Sequence, residues 1–219
     1  MLHMNSRNHV VRPNLSFRET IVLADVPETR VRKDIESGRL PRRHTTDSTH
    51  LWFRWLDVYC FAAIYSHSFI SARGRKLILE RFEEITSRRA QHEHWTILGA
   101  PEISENLRVE FGKYLYLDLC KAFDDVEPRV AIYALGLSRI EERRDVLAGE
   151  PIFRNSRLPV RHIGEMAEQG ESEANILEDY PSLTPEDVEF ARFYFRAHPV
   201  MGRPRKGAET GRVAQTASR

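Results

Sequence analysis

Thr29, Arg30, Arg32 and Lys33 fall within five consecutive positions, between Pro27 and Gly38. Cationic side chains gathered on one short segment can neutralise phosphates, and a guanidinium fork matches the acceptor edge of a guanine. The expected division of labour puts Arg30 at a base edge and Thr29 on a base or phosphate oxygen. Arg32 and Lys33, with Arg42 and Arg43 a few positions on, are expected to grip the backbone, which gives affinity rather than sequence choice. A second cationic set, Arg203, Arg205, Lys206 and Arg212, lies in the last 21 residues among Gly, Pro, Ser and Thr. Such a segment is expected to be disordered alone and to fit an acidic pocket, each Arg offering a bidentate fork to a carboxylate. The combinations that would do bond-making chemistry are weaker. Asp118, Asp124, Asp125 and Glu127 are acidic neighbours, and His92-Glu93-His94 brings two imidazoles together. Neither has the spacing of a metal or nucleophile motif, and there is no Gly-rich phosphate loop. No catalytic set, metal or cofactor is therefore expected, and the chain reads as a binding protein rather than an enzyme.

Composition agrees with that. The 219 residues are 41% hydrophobic and 30% charged, a globular balance. Cys60 and Cys120, far apart in apolar surroundings, exclude a disulfide scaffold and suit a reducing cytoplasm. The first residues carry no apolar leader, and the most apolar window, 51–70, contains Arg54 and Asp57, so a cytoplasmic location without membrane contact is expected. The net charge of +1 is unevenly spread. Residues 1–43 carry nine Lys/Arg against five Asp/Glu, residues 199–219 five against one, and the rest is net −7. A basic head and a basic tail imply two cationic surfaces with separate partners.

The elements that must position these residues can be read locally. Ser16 is a good N-cap with Glu19 as its capping-box partner, and a second helix is expected to start at Asp25, capped with Glu28 and with Pro27 in its first turn. Gly38 stops it. Val31 and Ile35 point to one face, where Leu23 and Val26 can meet them: the interior of a helix-turn-helix, with Thr29, Arg30, Arg32 and Lys33 facing out. The window from Leu51 to His67 is dense in aromatics and must be buried on most faces. Trp52, Trp55, Tyr59, Phe61 and Tyr65 fall on several sides of one helix, so part of that surface is expected to form a dimer seam. From Gly74 to Ala90 a helix is expected to place Leu77, Ile78, Phe82 and Ile85 on the core. Residues 108–123 fit period two and period four alike, and 129–137 is an apolar stretch broken by Gly136. After residue 146 come a short hairpin turning at Asn155-Ser156 and three helices. The first is striped by Val160, Ile163 and Ala167 and stopped by Gly170. The second is striped by Ile176, Leu177 and Tyr180 and stopped by Pro181. The third is capped by Thr184 with Pro185 at its first position.

Two resemblances attach to these runs. Val26, Thr29-Arg30-Val31-Arg32, Ile35, Gly38 and Leu40, followed by Pro41-Arg42-Arg43-His44, resemble MerR-type winged helix-turn-helix domains, over about forty residues. Arg30 separates the Thr and Val of the family's run, and Asp25 stands where that turn usually holds Gly. Asp tolerates the left-handed region better than most residues, so the turn is expected to survive. In the C-terminal part, Gly149-Glu150-Pro151-Ile152, Arg157-Leu158-Pro159-Val160, Gly170-Glu171-Ser172 and the run from Asp179 to Asp187 resemble the domain-of-unknown-function family numbered 433. Asn155-Ser156 replaces that family's Gly-Thr, and Asn can also take positive φ. This likeness implies small, homeodomain-like helical units. It also implies the antitoxin role common in that family, beside a PIN-like ribonuclease toxin that cuts RNA with Mg²⁺ held by acidic residues. Longer members, with an upstream winged helix-turn-helix, are similar to VapB-type antitoxins.

The resulting expectation is a mainly α protein. Residues 1–14 form a flexible N-terminus, 15–58 a helix-turn-helix with a basic wing, 59–145 a helical middle and dimerisation region, 146–198 a small three-helix unit with a short β-hairpin, and 199–219 a disordered basic tail. Its expected function is a type II antitoxin that blocks a PIN-like toxin and represses its own operon as a homodimer or larger assembly on operator DNA. The alternatives are a stand-alone winged helix-turn-helix regulator and, less well supported, a metal-dependent nuclease.

Overall fold

A computed structural model describes residues 14–40, 51–89, 108–110, 113–114, 116–118 and 120–199. The fold is mainly helical with short antiparallel strand pairs. Strand β1 (Asn14–Ser16) pairs with β2 (Trp52–Arg54), Leu15 opposite Phe53. β1 runs directly into α1 (Phe17–Ala24), where Ser16 caps the first turn and exchanges both bonds of a capping box with Glu19. Asp25 closes α1 in the left-handed conformation, φ 54 and ψ 53, its N–H turned back toward the Ile21 and Val22 carbonyls. It therefore does not cap the second helix, as had been expected. An N-cap needs extended backbone, which Pro27 supplies at φ −64 and ψ 116. Helix α2 (Glu28–Glu36) thus starts after Pro27, without a side-chain cap. Gly38, at φ +68, turns the chain out of it. Leu23, Val26, Val31 and Ile35 are all buried between the two helices, as their spacing requires.

β2 continues into α3 (Trp55–Tyr65), in which every residue is buried. The expected boundary at residue 58 falls inside this helix. Phe17, Phe53, Phe61 and Tyr65 follow one another ring to ring at 5.3 to 6.0 Å, and Trp55, Tyr133 and Phe190 do so at 5.5 to 6.4 Å. Trp55, Tyr59, Phe61 and Tyr65 are core residues of the chain, and Trp52 is half-buried. Helix α4 (Ala72–Arg89) buries Ile78 and Phe82 but leaves Leu77 exposed.

The ambiguous stretch resolves into both of its readings. β3 (Arg108–Glu110) pairs with β4 (Tyr116–Asp118), and α5 (Cys120–Arg139) follows. Gly136 does not break α5. Beyond it come β5 (Ile140–Glu141) paired with β6 (Ile152–Phe153), then α6 (Val160–Glu168), α7 (Glu173–Asp179) and α8 (Pro185–Ala197). Asn155 takes φ 61 in the hairpin, Gly170 takes φ 93 after α6, and Thr184 forms a capping box with Asp187, with Pro185 at the first helical position. Helix α8 is the centre of the C-terminal half, packing on α6, α5 and α1. Two glycines make this possible. A Cβ at Gly136 would lie 2.0 Å from Cγ of Phe190, and one at Gly164 would lie 2.3 Å from the Ala191 carbonyl oxygen. Among the described residues, no helix is long and apolar enough to cross a membrane.

Candidate nucleic-acid interface

Helix α2 presents two ridges to solvent. Thr29 and Lys33, one turn apart, form the first and are both exposed. Among the described residues, Lys33 has no ion-pair partner. Glu28 and Arg32 form the second. Arg32 donates to Glu28 Oε1 at 2.8 Å from Nε and lies 4.8 Å above the ring of Phe17. Arg18 stands 3.8 Å from the same carboxylate. Exposed ion pairs of this kind hold by roughly 0–1 kcal/mol, so Arg18 and Arg32 remain recruitable by a phosphate.

Arg30 is placed differently from its expected position at a base edge. Its guanidinium turns inward and donates to the carbonyls of Tyr65 (3.2 Å) and His67 (3.4 Å) at the end of α3. The last carbonyls of a helix lack intrahelical partners and attract cations, so this is a favourable seat for an arginine. The sequence could not show it, because the acceptors lie 35 and 37 positions away.

Beneath the exposed ridges is a buried clamp. Asp34 is 1% exposed and receives Arg75 in a fork, Nε to Oδ2 at 2.6 Å and Nη2 to Oδ1 at 3.1 Å. The Tyr65 hydroxyl donates to Oδ2 at 3.0 Å and Arg39 reaches Oδ1 at 3.3 Å. Arg75 also donates to the Ile70 carbonyl and stacks 5.3 Å from the Tyr65 ring. Burial alone would raise the Asp34 carboxyl; the hydrogen bonds from Arg75 and Tyr65 and the charge of Arg75 bring it below the ordinary carboxylate value instead. The bond to Asp34 holds Arg75 above its usual value. Burial, followed by the neighbouring Asp34 charge, pushes the Tyr65 phenol far up. The clamp fixes α2 to α3 and α4, leaving its outer side free of structural duty. Neither Asp34 nor Arg75 was singled out in the sequence, and Tyr65 was noted only as an aromatic of the buried helix. A signal existed: Asp34 sits on the same stripe as Val31 and Ile35, and a carboxylate on an apolar stripe demands a buried cationic partner.

A second buried cluster joins α1 and α5 to the residue that follows α8. Glu19 in α1, with no exposed surface, accepts from the Tyr133 hydroxyl of α5 at 2.6 Å and lies 3.2 Å from the His198 ring at the end of α8. Arg161 of α6 donates to the His198 carbonyl at 2.7 Å.

The remaining candidates separate. Asp118, Asp124 and Asp125 are exposed, whereas Glu127 is half-buried under the Tyr59 hydroxyl, which donates to it; burial raises its carboxyl. Among the described residues, no three His, Cys, Asp or Glu come together to hold a metal ion. Cys60 is buried and free, its thiol pushed far up by burial. Arg42 and Arg43, the tail residues Arg203, Arg205, Lys206 and Arg212, the first residues of the chain and His92-Glu93-His94 lie outside the described residues.

Fold and surface thus define two helices, α1 and α2, joined by a tight turn and flanked by a strand pair, packed through one core with a C-terminal three-helix unit. Residues 140–195, which contain all but the last two residues of that unit, match the sequence profile of the family described as "Protein of unknown function (DUF433)". A curated relative, "Uncharacterized protein y4eO" of Sinorhizobium fredii (strain NBRC 101917 / NGR234), is 30% identical over 93 residues. That similarity covers 42% of this chain and 42% of the relative, so less than half of the relative's length is spanned. No solved structure matches.

Proposed function

We propose that this chain binds duplex DNA through α2, and that it does so as an antitoxin that represses its own operon and neutralises a PIN-like ribonuclease. The observation that carries the DNA half is the seating of α2. Its inner side is locked by Asp34 to Arg75 and Tyr65, while Thr29, Arg32 and Lys33 stay on the solvent side. A helix held rigidly from behind and cationic in front is what insertion into a major groove requires. In this reading Lys33, Arg32 and Arg18 contact phosphates, Thr29 contacts a base or phosphate oxygen, and Arg30 positions α2 against α3.

The antitoxin half follows from the likeness of the C-terminal unit to the 433 family and from the cationic tail. Arg203, Arg205, Lys206 and Arg212 are proposed to enter the acidic, metal-holding pocket of the toxin. The protein then works in the cytoplasm as a homodimer or larger complex on operator DNA. The DNA half is tested by fluorescence anisotropy on its own upstream duplex against an unrelated one. Preference for the upstream duplex is expected, and equal binding to both would remove operator recognition. Co-purification with an adjacent PIN-like reading frame, and loss of nuclease inhibition on deletion of 199–219, test the antitoxin half.

A further inference from the structure

Helix α2 opens on an acid. Glu28 is its first residue and stands half-buried beside the exposed Thr29. Its neighbours are cations. Arg32, one turn on, donates twice to Oε1, from Nε at 2.8 Å and from Nη2 at 2.7 Å. The Arg32 guanidinium lies 4.8 Å above the Phe17 ring, which supports the pair on one side. Oε2 is placed differently. Arg18 Nη2 is 3.8 Å away, too far to donate, and among the described residues no other donor reaches this oxygen. An acid in a first helical turn and an exposed ion pair each add little to stability. A carboxylate brought up to a duplex, by contrast, repels the phosphates that the surrounding cations attract.

We propose that Glu28 is the specificity-determining residue of α2: its Oε2 accepts from the N4 amino group of a cytosine, and Arg32 positions the carboxylate for it. This inference rests on the proposed DNA-binding role and deepens it. The first residues of a groove-bound helix are those nearest the base edges, and the cytosine amino group is the donor that a carboxylate reads there. In the major groove the adenine amino group lies between two acceptors, its own N7 and the thymine O4, whereas the cytosine amino group has an acceptor on one side only, the guanine O6. At a pair that offers no such donor, Glu28 gains nothing and still repels phosphate. Arg32 can position Glu28 and also meet the backbone, because Nε and Nη2 hold the carboxylate and Nη1 remains for a phosphate. The inward turn of Arg30 takes the guanine-reading fork away from the base edge, so sequence choice passes to its neighbours at the start of the helix.

Anisotropy of the full chain on its upstream duplex, on single-base-pair variants of that duplex and on an unrelated duplex tests the role. Wild type is expected to lose about tenfold at one C·G position. Glu28→Ala should lose that discrimination and bind the unrelated duplex more tightly than wild type. Glu28→Gln should move the preference at that position from cytosine to adenine, which an amide reads in a bidentate manner; a merely structural role would not do this. Arg32→Lys keeps a cation for phosphate without the fork, so discrimination should weaken while the salt slope stays the same. Glu36→Gln is the control, an exposed carboxylate at the other end of α2: all duplexes should bind more tightly and the tenfold preference should remain. Circular dichroism is expected to match wild type in every variant. Full discrimination in Glu28→Ala, an equal loss of affinity for all duplexes, or no change of preferred base in Glu28→Gln would overturn the role of Glu28. A wild type that binds duplexes without choosing among them would overturn it too, and leave phosphate binding by α2 standing. A wild type that binds no duplex would overturn the DNA-binding role and this inference with it.

Discussion

Helices α2 and α8 are both anchored from behind, by opposite means. α2 rests on charge: Asp34 gathers Arg75, Tyr65 and Arg39, and Arg30 ties the neighbouring turn to the end of α3. α8 rests on shape: Gly136 admits the ring of Phe190, Gly164 admits the Ala191 backbone, and Val188, Phe190 and Ala191 have almost no exposed surface. An apolar seat gains free energy from burial and tolerates modest repacking. A buried ion pair gains little net stability, but it fixes orientation and is damaged badly when one partner is lost. Orientation is what a helix needs if its outer side must meet a rigid duplex. The C-terminal unit needs a stable body, and packing suffices for that.

The contrast is sharpest at Asp34. Asp34→Ala strands Arg75 in the core and is expected to cost about 3–5 kcal/mol in a urea titration. The pH dependence has a definite sign. Because the folded carboxyl is held below its unfolded value, its ionised form stabilises the fold above about pH 4, and that contribution drains away as pH falls through the lowered native value. Asp34→Asn should flatten the acid limb of the stability curve. A stability loss in Asp34→Ala no larger than that of a surface substitution would show that α2 is seated by its apolar stripe alone.

On the packed side, Gly136→Ala forces a methyl into the Phe190 ring and should cost about 1–3 kcal/mol. Phe190→Leu should recover part of that loss in the double variant, since the two changes share one contact. Strict additivity would mean that α5 and α8 shift apart freely. A smaller stability effect belongs to the cap of α8. Thr184→Ala removes the side chain that accepts from Asp187 N–H and should cost about 1 kcal/mol, measured as a shift in the thermal midpoint.

The same contrast explains what the sequence made legible. The C-terminal unit is written locally: Thr184 and Asp187, Asn155 and Gly170 each announce a cap or a turn within four residues of where it acts, and each was found there. The capping box at Ser16 was equally plain, as was the burial of Val31 and Ile35. The clamp on α2 was not, because Asp34, Tyr65 and Arg75 span 41 positions and meet only after three helices have packed. Arg30 was misplaced for the same reason: a cation on a helix reads as solvent-facing until the carbonyl ends of another helix are seen beside it. Gly136 was misread as a break because a close approach and a helix stop put the same residue into the sequence.

The claim that most depends on this contrast is that the outer side of α2 does no structural work and is there to meet phosphate. Salt-dependent anisotropy on the upstream duplex, comparing wild type with Lys33→Ala, tests it directly. Stability should change by no more than about 0.5 kcal/mol, while DNA binding weakens and the slope of log affinity against log salt drops by about 1. An unchanged slope together with unchanged affinity would contradict it, and so would a destabilised fold.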